Sequence, residues 1–227
     1  MDTVDWPIPR ADPDSTRHEV LAAATRYGWA ITLRCASEEF RADKDLVLTA
    51  VALDGEALRH ASVELRADKE VILAAVAKNG FALQFASEVL RSDKEVVHVA
   101  VAQVGLALKF SMAPRVKIGI ADRGMELKAD KGIVNAAVAQ NGLALQHASA
   151  NLKNDKELVL VAVAQNGFAL QYASWALRAD KEVVLVAVVN YGRALVHASD
   201  ELKADKDVVL AAVAKEVGAR SSMPIPS

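Results

Sequence analysis

The sequence has few of the residues that build cross-linked, membrane-spanning or nucleic-acid-binding proteins. Cys35 is the one cysteine among 227 residues, which excludes an internal disulfide and allows a reducing compartment. No apolar run approaches the roughly 18 residues of a membrane span. The 27 Lys and Arg residues face 29 Asp and Glu residues, a formal net charge of −2, which gives no field that attracts nucleic acid. We therefore expect no membrane span and no nucleic-acid partner.

What the sequence has in quantity is one ten-residue pattern that recurs. ADKEVVLVAV begins at Ala179, and its relatives begin at Ala42, Ala67, Ser92, Ala129, Asn154 and Ala204. Their Asp residues lie 25 positions apart, except that Asp93 and Asp130 are separated by 37. Thr16 to Gly28 aligns as a degenerate further copy, which brings the total to about eight.

The columns of the repeat distinguish a helix from a strand. Counted from each Asp, positions +3, +4, +7 and +8 stay apolar, as in Leu158, Val159, Ala162 and Val163. These positions share one face of a helix, whereas a strand fixes alternate residues. The pattern therefore predicts a helix in every copy.

The ends of this helix are also marked. The Asp is typical of an N-cap, since its carboxylate accepts hydrogen bonds from the free N–H groups of the first turn. Asn-Gly predicts the helix end, with Gly80, Gly142 and Gly167 in the left-handed conformation. Asn-Gly between apolar runs is also a hairpin signal, so a strand hairpin is the rival interpretation.

A second, shorter helix is predicted after the glycine. Its fixed columns hold Ala82, Leu83 and Ala86 in one copy, and Ser87 is placed to cap a last turn that carries Leu90. Each copy is then a helical hairpin that buries its apolar stripe only by stacking on its neighbours. The predicted fold is all-α: an α-solenoid of about eight stacked 25-residue helical-hairpin repeats.

The repeats set the expected domain boundaries. We expect one solenoid domain over residues 16–217, an N-terminal extension with proline over residues 1–15, and a flexible C-terminal tail over residues 218–227. A 12-residue insertion separates the copies that start at Asp93 and Asp130, within the non-repeating segment 111–124. The first residues lack the basic and then apolar order of a signal peptide.

The pattern DKEVVLxAVAQNGxALQYASxxLRADKE resembles the helical tandem-repeat family catalogued as domain of unknown function 4116. The period, Asp-Lys, Asn-Gly and Ala-Leu-Gln-aromatic-Ala-Ser all coincide, over roughly residues 40 to 215. The resemblance implies tandem copies in unicellular eukaryotes, including algae, and in some bacteria. It implies no family-wide enzymatic activity and provides no catalytic residues to carry over.

Histidine and serine recur without forming a catalytic group. His60, His147 and His197 share one column, but the last two are two copies, about 20 Å, apart, which is too far for a shared metal ion. The repeated serines, such as Ser87, have no nucleophile-elbow sequence around them and are interpreted as helix caps. We expect no catalytic residue, no metal site and no cofactor.

A basic residue precedes each repeat's Asp by two positions. This column holds Arg41, Arg66, Arg91, Lys128, Lys153, Arg178 and Lys203. Acidic residues such as Asp43 and Glu70 are interleaved with it, within a Debye length of roughly 8 Å. We therefore interpret the column as part of a neutral, mixed-charge edge.

Partner-binding candidates lie where the repeat fails. Trp175 stands in a column that otherwise holds smaller or polar residues, and an exposed tryptophan is typical of an interface anchor. The insertion contributes Arg115, Lys117, Asp122 and Arg123, because insertions in solenoids often form a binding face; a tolerated surface loop is the alternative interpretation. Leu210 adds an apolar residue to the last copy, where a polar capping surface is expected.

These features favour a non-enzymatic protein–protein interaction or scaffold module, whose partner is another protein of unknown identity. The alternative is an accessory or linker subunit of a large complex, organellar or photosynthetic, which rests on the family resemblance. A minor alternative is a small-molecule binder or enzyme at the insertion.

Overall fold

The computed structural model describes residues 17–111 and 127–221, and all regular structure in these residues is helical, with no strand. The chain divides into two compact units between Gln103 and Val104, called here the first and second units. Each unit is a stack of helical repeats. The predicted all-α repeat fold is therefore confirmed, while the single-domain boundaries of 16–217 stay a prediction.

Every regular repeat begins with a long α-helix. In the first unit these are Lys44–Leu53, Lys69–Lys78 and Lys94–Gln103, and in the second Lys131–Gln140, Lys156–Gln165, Lys181–Asn190 and Lys206–Ser221. The predicted aspartate cap is present: Asp68 Oδ1 accepts hydrogen bonds from the N–H groups of Glu70, at 2.9 Å, and Val71, at 3.3 Å. The caps satisfy backbone donors that the first helical turn leaves free.

The four predicted apolar columns form the core. Leu158, Val159, Ala162 and Val163 are all buried. They reach two sides because helix Lys156–Gln165 packs between the long helices before and after it, and against two 3-10 helices. Each long helix thus has apolar neighbours that no single repeat supplies.

The second half of each repeat is a 3-10 helix followed by one short helical turn, rather than one second α-helix. The 3-10 helices are Gly55–His60, Gly80–Phe85, Gly105–Ser111, Gly142–His147, Gly167–Tyr172 and Gly192–His197. The short helices are Leu65–Ala67, Glu88–Arg91, Ala150–Lys153, Trp175–Arg178 and Asp200–Lys203. Serine marks their starts as predicted, since Ser87 Oγ accepts the N–H of Leu90 at 3.4 Å.

The predicted left-handed glycines are wrong in the regular repeats. The described part of the chain has positive φ at Gly28 alone. Asn166 adopts an extended conformation, φ −151° and ψ 107°, and caps the following 3-10 helix by accepting the N–H of Phe168 at 3.0 Å. Asn166 thus ends the long helix, as predicted, and also starts the next helix.

Close packing between repeats explains the glycine after each of these asparagines. A Cβ on Gly142 would collide with the carbonyl oxygen of Ala162, and one on Gly167 with that of Ala187. A side chain at these positions would separate the 3-10 helix from the long helix of the next repeat. The glycine is thus required for close approach.

The degenerate first copy differs from the others. It consists of helices Arg17–Tyr27, Trp29–Cys35 and Glu38–Ala42. Gly28, with φ 85°, joins the first two helices. A left-handed glycine, predicted at Gly80, Gly142 and Gly167, therefore occurs here instead, followed by a second α-helix.

Candidate functional site

Only part of the predicted partner-binding set lies in the described residues. Arg115, Lys117, Asp122 and Arg123 lie outside them. Trp175 and Leu210 both lie in the second unit, with 66% and 57% of their surfaces exposed. Trp175 and Leu210 are therefore the predicted partner-binding residues that the structure places at a surface, and both belong to the second unit.

Trp175 is the first residue of the short helix Trp175–Arg178, which Ser174 caps through the N–H of Leu177. This start of the helix points the indole away from the core, whereas Leu177 is buried. The Arg178 guanidinium lies 5.7 Å from the indole centroid, a cation–π distance. Trp175 is held in place at the surface by its own helix.

A large groove lies at the last repeat and was not found from the sequence. Its volume is about 1060 Å³, and it runs between the 3-10 helix Gly192–His197 and the final helix Lys206–Ser221. Phe168 forms part of its wall, with its ring edge-on to those of Tyr191, at 5.8 Å, and His197, at 5.1 Å. The wall is mainly apolar, which suits a hydrophobic occupant.

The groove is open because the last repeat lacks the 3-10 helix that packs against the long helix in other repeats. Within the described repeats, long helices such as Lys156–Gln165 and Lys181–Asn190 each pack against the 3-10 helix that follows in the same repeat. The final helix continues to Ser221 through the position where that 3-10 helix would begin. Val213 is consequently 51% exposed, while its counterparts Val163 and Val188 are fully buried.

Leu210 belongs to a different surface, the outer side of the long helices. Val189 on that side is also exposed, and it lines a shallow depression of about 510 Å³ together with Val186 and Lys215. The sequence indicates this surface because the repeat column that holds Leu210 also accepts polar residues, such as His98.

Charged side chains join successive repeats in a ladder. In five of the described repeats the lysine after the Asp reaches the next repeat: Lys156 Nζ, for example, lies 2.7 Å from Asp180 Oδ2 and 2.8 Å from Glu182 Oε2. The lysine lowers the pKa of the Asp180 carboxyl and the two acids raise that of Lys156. Equivalent pairs join Lys44 to Asp68, Lys69 to Asp93, Lys131 to Asp155 and Lys181 to Asp205. These pairs link each of these repeats to the next.

The histidine column is held neutral. Burial lowers the pKa of His147 to about 4, and Lys128, Lys109 and Lys153 add to the effect. No group of three potential metal-ligating His, Cys, Asp or Glu side chains occurs in residues 17–111 and 127–221. The histidines in this column are therefore interpreted as packing residues, like the aromatic residues such as Tyr172 that occupy the same column.

Comparison with known proteins gives the family. The family model described as a domain of unknown function, DUF4116, matches residues 17–66, 68–112, 130–178 and 180–217. The chain belongs to this family. Two of the DUF4116 matches, 17–66 and 130–178, each span two structural repeats, so the family unit corresponds to a pair of stacked repeats.

The comparisons with curated proteins and with solved structures returned no match. No helix in the described residues combines the length and hydropathy needed to cross a bilayer. The family membership therefore defines a helical repeat domain, and the function has to be argued from the surface.

Proposed function

We propose that this DUF4116 protein is a non-enzymatic protein–protein interaction module whose second unit binds a partner in the end groove. The observation that carries the proposal is the exposure of Val213 in a column that is fully buried in the other regular repeats. A groove of about 1060 Å³ with an apolar wall is large enough for side chains of a partner segment.

The internal repeats define the chemistry of the occupant. In the regular repeats before the groove a short helical segment with an Ala-Leu pair, such as Ala169 and Leu170, is buried against the long helix. A helical segment of another protein with the same pairing of a small and a large apolar residue would complete the last repeat in the same way. Burial of one valine-sized side chain contributes about 1.5–3 kcal/mol, so a few such contacts give specific binding.

The recurrent polar groups have structural roles that support a non-enzymatic function. Ser62, Ser87, Ser149, Ser174 and Ser199 each accept a backbone N–H at the start of a short helix. The carboxylates that recur in the sequence cap long helices and pair with lysines. A catalytic group requires side chains that converge on a substrate, whereas these repeat along the stack.

The accessory or linker subunit is the second form of this proposal. Trp175, Val196 beside the groove and Leu210 are all exposed, and they lie on three different helices of the second unit. Separate apolar contacts on one unit suit a subunit that touches more than one neighbour. The small-molecule alternative at the insertion concerns residues outside the described part of the chain.

A comparison of two valine variants tests the groove. Val196 borders the groove and is 66% exposed, and Val189 lies on the outer side and is 57% exposed. We expect Val196→Gln to reduce recovery of a specific partner from native extract about tenfold, the factor that corresponds to 1.4 kcal/mol. Val189→Gln is the matched control and is expected to recover that partner like the wild type, by quantitative mass spectrometry.

Two outcomes contradict the proposal. Equal recovery by both variants shows that the groove is not the binding surface. A dimer of the purified chain that Val196→Gln disrupts, measured by sedimentation, shows that the occupant is a second copy.

A further inference from the structure

The two basic columns of the repeat have different environments, which the sequence did not reveal. The lysine column is engaged in the ladder, with two carboxylates for each lysine, as Lys44 binds Asp68 at 2.7 Å and Glu70 at 2.8 Å. The arginine column, Arg41, Arg66 and Arg91 in the first unit, is called here the arginine row. The acidic residues therefore pair with the lysine column and not with the arginine row.

The aspartate two residues after Arg66 and the one two residues after Arg91 are used by other groups. Asp68, two residues after Arg66, binds Lys44 through Oδ2 and caps its helix through Oδ1. Asp93, two residues after Arg91, binds Lys69 and its own helix in the same way. Among the described residues, no carboxylate forms an ion pair within 4.0 Å with any member of the row, and their buried Nε atoms have no hydrogen-bond partner.

The surroundings of His60 show that the charge beside the arginine row is positive. Burial lowers its pKa, and the charges that lower it further are those of Arg59, Arg34 and Arg41. These three arginines come from a 3-10 helix, an α-helix and a short helix of the first unit. Cations from three elements thus converge on one neutral histidine.

Backbone hydrogen bonds hold the row in register. The N–H of Ser62 donates to the carbonyl of Arg41 at 2.9 Å, and the N–H of Ser87 donates to that of Arg66 at 2.8 Å. Successive helix layers are about 10 Å apart, so the arginines follow one another at about that interval. A peptide in the polyproline II conformation has three residues per turn and rises about 3.1 Å per residue, so every third side chain lies on one face and meets one arginine.

We propose that the arginine row binds an acidic peptide segment of a partner protein, with a carboxylate at every third residue. The proposal rests on the interaction function but uses the first unit instead of the end groove. Guanidinium groups favour carboxylates because their N–H donors form paired hydrogen bonds with both oxygens. A nucleic-acid strand fits less well, since its phosphates lie about 3.4 Å apart along a duplex and the chain carries a net charge of −2.

Anisotropy with a labelled synthetic peptide tests the row. The probe is a seven-residue peptide with Glu at positions one, four and seven and Ser elsewhere, and its scrambled form has the three Glu adjacent. We expect the full chain to bind the spaced peptide more tightly than the scrambled one. Arg66→Gln and Arg91→Gln are each expected to weaken binding about tenfold, which corresponds to one charge-assisted hydrogen bond.

Lys78→Gln is the matched charge control. Lys78 is exposed at the last position of helix Lys69–Lys78, about 15 Å along the helix from the cap Asp68, and it is expected to leave binding unchanged. Arg66→Lys keeps the charge and the packing stem, and an intermediate loss is expected because the paired donors are missing. A circular-dichroism melt for each variant confirms that the repeats remain folded.

Several results overturn the proposal. If Lys78→Gln weakens binding as much as Arg66→Gln does, binding responds to net charge alone and the proposal is wrong. Equal binding of the spaced and scrambled peptides, or tighter binding of single-stranded DNA of matched length, also contradicts it, as does the absence of peptide binding. Val196→Gln is expected to bind the peptide normally, so loss of the groove partner and loss of the peptide are separate outcomes.

Discussion

Replacement of Gly142 by alanine tests the close packing between repeats. The backbone there is not left-handed, so alanine by itself restricts the unfolded chain and would stabilise by about 0.4–1 kcal/mol. Its Cβ, however, meets the carbonyl oxygen of Ala162 in the next repeat, and Asn166 N lies 3.2 Å from the same point. These are backbone atoms, which cannot rotate away.

The expected net effect is destabilising. Insertion of a methyl group into a close-packed site costs about 1–3 kcal/mol, which exceeds the gain from restricting the unfolded chain. We expect Gly142→Ala to lower the free energy of unfolding by about 1–2 kcal/mol. For a chain of this length the midpoint of thermal unfolding would fall by roughly 2–8 °C.

Gly132→Ala is a control within the same repeat. Gly132 lies in the first turn of helix Lys131–Gln140, and a Cβ there meets only the Asp130 Oδ1, at 3.2 Å. Alanine favours the helix over glycine by up to about 1 kcal/mol, so this variant is expected to be as stable as the wild type or more stable. Urea unfolding followed by circular dichroism measures both. If Gly142→Ala is no less stable than Gly132→Ala, close approach is not the reason for the glycine.

Two further predictions concern the ladder and the histidine column. Asp155→Asn keeps an oxygen for the helix cap but removes the charge that pairs with Lys131 at 2.7 Å, so we expect the free energy of unfolding to fall by less than about 1 kcal/mol. Asp155→Ala also removes the cap, and we expect it to cost about 1 kcal/mol more, measured by urea unfolding. Because its folded pKa is lowered, Asp155 stabilises the fold above the unfolded pKa, and this contribution is lost in acid; equal stability of the two variants would contradict the cap. The pKa of His147 is about 4 against an ordinary 6.5, so its contribution is present above pH 6.5 and is lost as the pH falls towards 4. His147→Tyr, which keeps a ring, is expected to lose less stability over that range, and a titration of His147 by NMR near 6.5 would refute the reasoning.

The candidate site was predictable only in part. The exposure of Trp175 follows from its column, because the other members are small or polar and therefore do not form the core. The end groove depends on side chains from three successive segments, Phe168, Val196 and Val213, which lie far apart in the sequence. Nothing in the local pattern around Val213 differs from that of a buried valine, so its exposure required the packing to be known.

The pairing of charges was also predictable only in part. Both basic columns and both acidic columns are visible in the sequence at fixed positions, and averaging over them predicts a neutral edge. The structure instead gives both carboxylates, such as Asp68 and Glu70, to the lysine of the preceding repeat. Which charges pair depends on the stagger between neighbouring repeats, and the period alone does not define that stagger.

The sequence by itself determined the repeat, its long helix, its capping aspartate and the residues of its core, because these depend on interactions within about four residues and on a period that recurs. Only the tertiary structure decided that the second half is a 3-10 helix and that its glycine serves close approach. The role of the glycine follows from the distance between stacked repeats, because Ala162 of one repeat lies against Gly142 of the one before. That distance is set by side chains from neighbouring copies, and a single copy does not contain it.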